Sequence, residues 1–532
     1  MSKDNKFIKG AAILGIAGLV VKALGAVFRI PLTNWIGADG MSYYGFAYTI
    51  YSVLIVLATA GIPVAISRMV SERIAMGEHK NAHKVFKTAS TLMAGLGVIS
   101  FAICYLGAEP ITAKLGNPDA AMAVKAIAPA LLFVPILSSF RGYFQGRQNM
   151  NPTAISEITE QFVRVIVGLT AAFMLAKVGF KEAAAGASFG ASAGALGGLI
   201  IMTLIYMLNR HVIHEKNRLH SQETESTATI LKKIIMIAVP IIIGSEMMPV
   251  MGLIDTSLIM TRLQATGWTF AEAKELYGQF SGFCNSLISF PQIFTQAVAV
   301  SLVPAIAASF RIEDKKKVKE NVQLGYRMTM IMAFPCAFGL FALAKPILLL
   351  LYSAQRESAI AAAPTLMIMS IGVIFLAISQ TSVGVLQAIG LQHLPVRHLF
   401  IGCIFKIFAT FFLVSIPAIN VKGAAIGTMI AYITDLTLNN MSIRRATGVK
   451  FDYMLTYVKP AVAAAVMGLV AFGVHSFTAG FLGNSIATLL AIAVGGLTYA
   501  VLIFVVKAIT IDEVEMLPGG TKLNKIIRKI MK

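Results

Sequence analysis

Apolar stretches of about 20 residues recur along almost the whole chain, and this pattern restricts the possible folds more than any other feature. Each stretch is long enough to cross the hydrocarbon core of a bilayer as an α-helix. Hydrophobic residues make up 57% of the 532 residues and the mean hydropathy is +0.76, so the chain carries more apolar surface than one soluble core buries. The sequence therefore predicts an all-α, polytopic membrane protein.

We count about fourteen of these stretches in the sequence. Buried backbone polar groups leave only helices or a closed β-barrel as spanning structures, and the alternation that is typical of barrel strands does not occur in this sequence. The predicted transmembrane helices centre near Val20, Val56, Gly95, Leu131, Leu169, Gly197, Ile242, Ile288, Ala333, Ile371, Ala409, Met429, Val466 and Leu489.

The strongly basic charge follows from the predicted topology. The net charge is +20, and most of the 45 lysines and arginines lie in the two terminal tails and in alternate loops, including residues 68–87, 210–233 and 311–327. Basic residues are enriched in the cytoplasmic loops of membrane proteins. We therefore predict a multi-pass protein of the bacterial cell membrane with both termini in the cytoplasm, and we expect no nucleic-acid partner.

Several classes of function find no support in the sequence. Cys104, Cys284, Cys336 and Cys403 are scattered without the spacing of metal ligands or a redox pair. No phosphate-binding loop of the GxxxxGK[ST] type occurs, and no nucleophile pairs with a base, so we expect neither an enzyme nor a bound cofactor. Energy is then expected from a proton or sodium gradient, from the membrane potential, or from the cargo's own concentration difference.

Three short matches indicate an internal repeat, and all of them lie at offsets of 237 to 243 residues. Such matches predict two six-helix units in the same orientation around a central cavity, as in parallel-repeat transporters. The matches pair residues 145–152 with 387–395, 62–66 with 303–307, and 186–190 with 423–427.

The repeat and the charge pattern together predict the organisation of the chain. In the basic C-terminal tail (512–532), apolar and basic residues alternate with the spacing of an amphipathic helix that lies on the inner leaflet. A frayed tail is the alternative. The predicted parts are an N-terminal six-helix lobe (1–209), a cytoplasmic linker (210–232), a C-terminal six-helix lobe (233–443), helices 13 and 14 (457–508) and the tail (512–532).

Four basic side chains lie inside the apolar stretches: Lys22, Arg29, Arg164 and Lys406. A charge at bilayer depth costs about 3 kcal/mol or more unless water or a partner receives it, so we expect a shared polar cavity that suits an anionic cargo. Lys22 and Arg29 lie two turns apart on one helix face, about 10 Å along the axis, and this pair fits a diphosphate. The alternative is that Arg29 extends to the outer interface.

Acidic residues inside the spans are candidates for ion coupling or for internal ion pairs. Glu160 shares a helix face with Arg164, so it can neutralise this arginine, and Arg164 can also contact a substrate, with or without this pairing. Asp435 and Asn439 lie one turn apart, and interhelical hydrogen bonding is the alternative to a coupling role for this pair.

The seventh span carries Glu246 and, nearer its predicted outer end, Asp255. Glu246 lies between two prolines, and it either takes up a proton or a sodium ion or forms a salt bridge with Lys22. Both carboxyl groups are therefore candidates for coupling transport to an ion.

Glycine and proline mark the predicted hinge positions. Gly25 leaves room for close approach on the first helix, and Pro31 is expected to end the regular part of that helix. Pro240 and Pro249 are expected to bend or hinge the seventh helix.

Four short segments of the sequence resemble those of a known family. The resemblance is carried by residues 22–32 (KALGAVFRIPL), 37–40 (GADG), 61–68 (GIPVAISR) and 145–152 (QGRQNMNP). They are similar to the polysaccharide-transport branch of the multidrug/oligosaccharidyl-lipid/polysaccharide exporter superfamily, and most of all to its stage V sporulation protein B-like and lipid II flippase-like group. The resemblance covers nearly the whole chain.

The resemblance implies alternating access of two lobes that move an undecaprenyl-diphosphate-linked sugar between leaflets. Lys22, Gly25 and Arg29 match the first-helix motif that lines the cationic cavity of the family. The last two spans resemble the helices that form a groove for the lipid tail in such flippases.

One departure from the family pattern lies early in the second helix. Lipid II flippases of the Gram-negative type carry a further functional arginine there, whereas this chain has tyrosines. These either stack on sugars or lie at the membrane interface, and we favour the interface. The tyrosines are Tyr43, Tyr44, Tyr48 and Tyr51.

The sequence thus predicts a flippase or exporter for a lipid-linked glycan or a peptidoglycan precursor, whose partners are this anionic substrate and the membrane lipids. One alternative is a cation-coupled multidrug exporter, which requires an essential acid, and no acid lies within the first predicted span. The other alternative is a non-transporting membrane scaffold for envelope or spore assembly.

Overall fold

A computed structural model describes residues 3–209 and 225–508, and these residues form helices and turns without any strand. The predicted amphipathic tail (512–532) and most of the predicted linker (210–232) lie outside the described residues. In the described part, the prediction of an all-α fold is confirmed.

The chain divides into two compact units, residues 1–283 and 284–532. The helices described in the first unit are α1 (Lys3–Thr59), α2 (Gly61–Ala75), α3 (His79–Leu106), α4 (Ala108–Lys114), α5 (Ala121–Ile127), α6 (Ala130–Gly146), α7 (Asn151–Leu175), α8 (Phe180–Leu208), α9 (Thr227–Ala265) and α10 (Phe270–Gly278). Those described in the second unit are α11 (Asn285–Arg311), α12 (Lys315–Ala342), α13 (Ala344–Leu351), α14 (Arg356–Ala388), α15 (His393–Val414), α16 (Lys422–Thr447) and α17 (Lys459–Val505).

The lengths of these helices agree with a multi-pass protein. Among the described residues, nine helical segments are long and apolar enough to cross a membrane, or up to ten if the pair Pro118–Ile127 and Ala130–Gly146, bent by 40°, is one span. Breaks with positive φ at Gly37 in α1 (63°) and Gly483 in α17 (73°) divide each of these long helices in two. Every predicted span centre lies in a helix, and the total of about fourteen spans stays a prediction.

The prediction that Pro31 ends the regular part of the first helix is wrong. α1 continues through Pro31 and breaks at Gly37. Proline removes a backbone donor, but in apolar surroundings neighbouring side chains supply donors to the backbone.

The other predicted hinge positions also lie in continuous helix. α9 runs without a break through Pro240 and Pro249. Gly25 lies in the first part of α1, where an added Cβ atom would meet only the Gln161 side chain, at 3.7 Å. A hinge role for these three residues stays a prediction.

A seam of glycines brings the backbones of α7 and α8 into contact. Gly190 and Gly194 lie one turn apart on one face of α8, as small residues do where membrane helices approach closely. A Cβ atom added to Gly190 would lie 2.6 Å from the Cα of Gly168 on α7, and one added to Gly194 would lie 2.5 Å from the Glu160 carbonyl oxygen. Since only glycine permits this approach, the seam fixes how α7 is rotated about its own axis.

The second unit contains a similar seam between α15 and α16. A Cβ atom added to Gly427 would lie 3.3 Å from the Lys406 carbonyl oxygen, and one added to Gly190 would lie 2.8 Å from the Arg164 carbonyl oxygen. Arg164 and Lys406 each lie thirteen residues after the first residue of their helix (164 − 151 and 406 − 393). The two helix pairs therefore place a basic residue at equivalent positions, which supports the internal repeat.

We expect Gly190→Ala to lower the thermal stability, because the added methyl group would meet the backbone of α7, which has no side-chain freedom with which to move aside. Overpacking of this kind costs roughly 1–3 kcal/mol. The measurement is the Tm of the purified protein in detergent. Gly473→Ala on α17 is the matched control, because no heavy atom lies within 4 Å of its added methyl group. Equal Tm values for the two variants would contradict the seam.

A buried ion pair fixes the start of α9 against α2. The guanidinium of Arg73, a residue only 3% exposed, lies 2.6 Å from the Glu225 carboxylate. Lys233 approaches the same carboxylate at 3.4 Å, and the Glu225 amide donates to the Asn81 side chain at 3.2 Å. Burial raises the pKa of Glu225, but Arg73 and Lys233 outweigh it and hold the pKa below its ordinary value of 4.5.

These contacts hold the start of α9 within the first compact unit. The predicted lobes divide at residues 210–232, whereas the compact units divide between Phe283 and Cys284. The assignment of α9 to a C-terminal lobe stays a prediction.

We expect Glu225→Gln to lower the Tm at pH 7, since Arg73 then lacks its counter-charge and a hydrogen bond to a charged group contributes about 1.5–3 kcal/mol. The pKa of Glu225 is lower in the folded state than in the unfolded chain. The contribution of the ion pair is therefore complete at pH 7 and is lost as the pH falls through the folded-state pKa. The Tm difference between wild type and variant should shrink toward zero in acid.

The control for this measurement is Glu72→Gln. Glu72 forms an exposed ion pair with Arg68 at 2.9 Å on the same helix as Arg73, and such exposed pairs contribute little. A Tm difference for Glu225→Gln that did not change with pH would show that the buried ion pair is not its cause.

Candidate functional site

Arg164 is the central cation of the site in the first unit. It lies partly buried on α7, and its Nη2 donates to the Tyr44 hydroxyl on α1 at 3.3 Å. Its guanidinium carbon lies 5.2 Å from the centre of the Tyr48 ring, which is a cation–π contact. In residues 3–209 and 225–508, no carboxylate lies within 4.0 Å of Arg164. Neutral aromatic side chains therefore stabilise the charge of Arg164.

Glu160 pairs with an arginine other than Arg164. Arg141 on α6 lies 2.8 Å from the Glu160 carboxylate and also donates to the Ser156 hydroxyl at 3.0 Å. The alternative in which Glu160 neutralises Arg164 is therefore not the observed arrangement. Arg141 is not among the four cations predicted from the sequence, although it interrupts an apolar run as they do.

α1 packs along α7 and brings its own cations to the same region. The buried Phe28 ring lies against Gly168, where an added Cβ atom would come within 2.8 Å of the ring. One residue further, Arg29 is partly buried and lies within electrostatic range of Tyr48. Lys22 lies two turns earlier on the same helix with an exposed side chain. The structure thus places Arg29 within long-range electrostatic reach of Tyr48, the ring that Arg164 contacts directly.

The tyrosines that sequence analysis favoured at the membrane interface are packed inside the first unit. Tyr43 and Tyr44 are 3% exposed and Tyr51 is 7% exposed. The rings of Tyr44 and Tyr48 stack at 6.1 Å, and Tyr48 contacts Tyr51 at 5.9 Å. Two of these tyrosines, Tyr44 and Tyr48, contact Arg164, whose charge needs polar partners within an apolar bundle.

In the second unit, Lys406 is partly buried on α15, at the position equivalent to Arg164. A polar cluster lies deeper in this unit, around Asp435 on α16, which is 2% exposed and accepts a hydrogen bond from Ser379 on α14. One turn away, the Asn439 side-chain oxygen lies 2.7 Å from Nδ1 of His398 on α15. Hydrogen-bonding side chains thereby link three helices of this unit.

Glu246 lies on α9 with both carboxylate oxygens buried. Neither oxygen has a hydrogen-bond partner among the described residues, so Glu246 forms no hydrogen bond to Lys22. Asp255 is buried further along the same helix. A role of either carboxyl group in binding a proton or a cation stays a prediction.

A charged network that sequence analysis overlooks connects four segments of the first unit. Lys274 on α10 lies 3.2 Å from Asp39 and donates to the Tyr43 hydroxyl at 2.9 Å. Tyr43 donates to Asp119 at 3.4 Å, and Asp119 pairs with Lys181 at 2.6 Å. Burial lowers the pKa of Lys274, but Tyr43 and Asp39 outweigh it and raise the pKa above its ordinary value. The residue in the sequence that could have indicated this network is Asp39, the acidic residue of the GADG segment.

An apolar cavity of about 290 Å³ lies in the second unit between α12 and α17. Its walls include Gly339 on α12 and Met467, Ala471 and Gly495 on α17, and none of its lining residues is charged. The cavity has the chemistry of a site for an aliphatic chain.

Comparison with known proteins gives consistent matches. The profile of the family described as polysaccharide biosynthesis protein matches residues 7–310, and the profile described as MatE matches residues 281–412. The lipid II flippase MurJ of Bacillus subtilis (strain 168) is 28% identical over 527 residues, which cover 93% of this chain and 94% of the relative. Stage V sporulation protein B of the same organism is 25% identical over 526 residues, which cover 97% of this chain and 98% of the relative.

The fold also matches a solved transporter structure. Lipid II flippase MurJ in an inward closed conformation gives a TM-score of 0.63 at 15% identity, with 92% of this chain and 97% of that chain covered. At this identity, the likeness establishes the fold.

Proposed function

We propose that this chain, which belongs to the polysaccharide biosynthesis protein family, translocates a lipid-linked anionic glycan across the bacterial cell membrane. The chain is a multi-pass transporter of the multidrug/oligosaccharidyl-lipid/polysaccharide exporter (MOP) superfamily. The proposed substrate is an undecaprenyl-diphosphate-linked oligosaccharide or peptidoglycan precursor, and the proposed mechanism is alternating access. In this proposal, cations on α1 and α7 bind the diphosphate, and the lipid tail stays in apolar surroundings.

The observation that carries this proposal is the charge of Arg164. A guanidinium inside an apolar bundle costs about 3 kcal/mol or more unless a partner receives its charge. Tyr44 and Tyr48 offer a hydroxyl and a ring face, but neither neutralises the charge, and Glu160 is engaged elsewhere. A diphosphate would supply the missing anion, and a guanidinium binds phosphate oxygens through two parallel hydrogen bonds.

The other predicted cations extend this positive region. Arg29 lies near the same tyrosine as Arg164, and Lys22 lies two turns before it along α1. Cations about 10 Å apart along one helix can contact successive groups of an extended anionic head. Lys406 is the proposed counterpart in the second unit, where it contacts the anion at another stage of transport.

The lipid part of the substrate requires a different surface. The apolar cavity of about 290 Å³ between α12 and α17 suits a segment of a polyprenyl chain, because apolar side chains line it and no charge interrupts it. The relative named as a lipid II flippase aligns over nearly its whole length with this chain, which also supports a lipid-linked precursor as the cargo.

A cation-coupled multidrug exporter is the second candidate. The MatE profile match and the buried carboxylate of Glu246, which has no hydrogen-bond partner among the described residues, both favour it. This candidate requires Glu246 for transport and tolerates the loss of Arg164. In the leading proposal, Glu246 serves at most to couple the same flipping cycle to a proton or sodium gradient.

We expect Arg164→Gln to reduce translocation about tenfold or more, because a hydrogen bond to a charged group contributes about 1.5–3 kcal/mol. Arg164→Lys, which keeps the charge but loses the planar fork, should retain part of the activity. The assay uses proteoliposomes and a fluorescent undecaprenyl-diphosphate-linked disaccharide whose exposure on each leaflet is followed by quenching. Arg68→Gln, a change at an exposed arginine on α2, is the matched control and should transport normally.

The outcomes separate the candidates. Normal transport by a folded Arg164→Gln variant would contradict the role of this cation. Loss of transport in Glu246→Gln together with normal transport in Arg164→Gln would favour the multidrug exporter. A folded wild type that moves no lipid-linked disaccharide would contradict the proposed cargo.

Arg141→Leu should also impair translocation, although Arg141 is not proposed to touch the substrate. Without Arg141, the Glu160 carboxylate is free to pair with Arg164, which lies four residues further on the same helix. Such a pair would neutralise the cation that the substrate needs. The double variant Arg141→Leu/Glu160→Gln should therefore regain activity in the same assay. A double variant as inactive as the single one would show that Arg141 acts in some other way.

A further inference from the structure

A groove of about 590 Å³ runs along α3, and one continuous face of this helix forms its wall. Lys84, Lys87, Thr91 and Gly95 follow one another on this face at spacings of three or four residues. Leu231 of α9 lies on the opposite side. The face therefore runs from cations near the start of α3 to apolar positions deeper along the helix.

The length of the groove corresponds to one leaflet. From Lys87 to Ile99 the face spans twelve residues (99 − 87), or about 18 Å at a rise of 1.5 Å per residue. Half of the hydrocarbon core of a bilayer measures about 15 Å. Lys87 ends a segment that the sequence predicts to be cytoplasmic, so the cations lie at the level of the inner headgroups in the predicted topology.

The two ends of the groove differ in chemistry. Lys84 is partly buried and Lys87 is exposed, and within the part of the chain that the structure describes neither lies within 4.0 Å of a carboxylate. Leu96 and Ile99 line the other end. A Cβ atom added to Gly95 would meet no heavy atom within 4 Å, so the wall is open to an occupant there.

We propose that this groove binds an anionic phospholipid of the inner leaflet, with its phosphate between Lys84 and Lys87 and one acyl chain along Gly95 and Ile99. Charge complementarity selects the headgroup, because juxtamembrane lysines attract anionic lipids. The site is separate from the proposed substrate site around Arg164. A lipid in the groove touches both α3 and α9, and its binding therefore stabilises the folded protein.

The test titrates the full-length protein in an uncharged detergent with phosphatidylglycerol and, separately, with phosphatidylcholine, and follows the Tm. Phosphatidylglycerol should raise the Tm of the wild type, and phosphatidylcholine should have little effect. The double variant Lys84→Gln/Lys87→Gln should bind phosphatidylglycerol about tenfold more weakly. Gly95→Phe, whose ring fills open space in the groove, should abolish the response and keep the Tm of the lipid-free protein.

Lys315→Gln/Lys316→Gln is the matched control, because it removes the same charge from exposed positions at the start of α12, in another segment predicted to be cytoplasmic. This control should respond as the wild type does. Equal responses to the two lipids, or a normal response of either groove variant, would overturn the proposal. Displacement of phosphatidylglycerol by undecaprenyl phosphate at equal affinity would also overturn it, since the groove would then belong to the transported lipid. The measurement is of lipid binding alone, so its failure leaves the translocation tests on Arg164 unaffected.

Discussion

The backbone contact between α7 and α8 determines the surroundings of the charged groups on α7. Because Gly190 and Gly194 have no Cβ atom, α8 approaches the carbonyl groups of Arg164 and Glu160 directly. α7 therefore has one rotational setting, in which the Arg164 side chain reaches the tyrosines of α1 and the Glu160 side chain reaches Arg141 on α6. A small shift of this seam would move both side chains at once.

The partners of the two arginines differ in a way that suits transport. Arg141 is neutralised by Glu160, and removal of either partner would leave a buried charge alone, which is costly. Arg164 rests on Tyr44 and Tyr48, which are neutral. An anion that binds Arg164 therefore displaces a hydroxyl and a ring face and leaves no buried carboxylate behind. In the proposed function, this arrangement leaves Arg164 available to the substrate at low energetic cost.

The sequence predicted those features that depend on the local chemistry of one segment. Apolar length located the helices, and the repeat placed Arg164 and Lys406 at equivalent positions. The partner of Glu160 was not predictable, since helical spacing shows only which residues share a face and gives no information about α6, which supplies Arg141. The contacts of Tyr44 and Tyr48 with Arg164 were not predictable either. Nothing in their own segment indicates that α7 presents a guanidinium to them.

Pro31 and Lys274 illustrate two further limits of prediction from sequence. Proline interrupts helices in water. In apolar surroundings, however, no water is available to pair with backbone groups, so a helix is strongly favoured and α1 continues to Gly37. Lys274 lies on a short polar helix and resembles any surface lysine in the sequence, yet it is buried against a segment of α1 that is distant in sequence. Only the folded chain brings Asp39 and Tyr43 to it.

The network around Lys274 has a consequence for how the sequence can change over time. Its two lysines and two aspartates are balanced in charge, and the Tyr43 hydroxyl joins the two halves. Replacement of Lys274 alone would leave Asp39 facing a buried hydroxyl with no cation, whereas a matched exchange of both residues would keep the balance. A lysine on a nine-residue helix thus depends on contacts with residues more than 230 positions earlier in the chain.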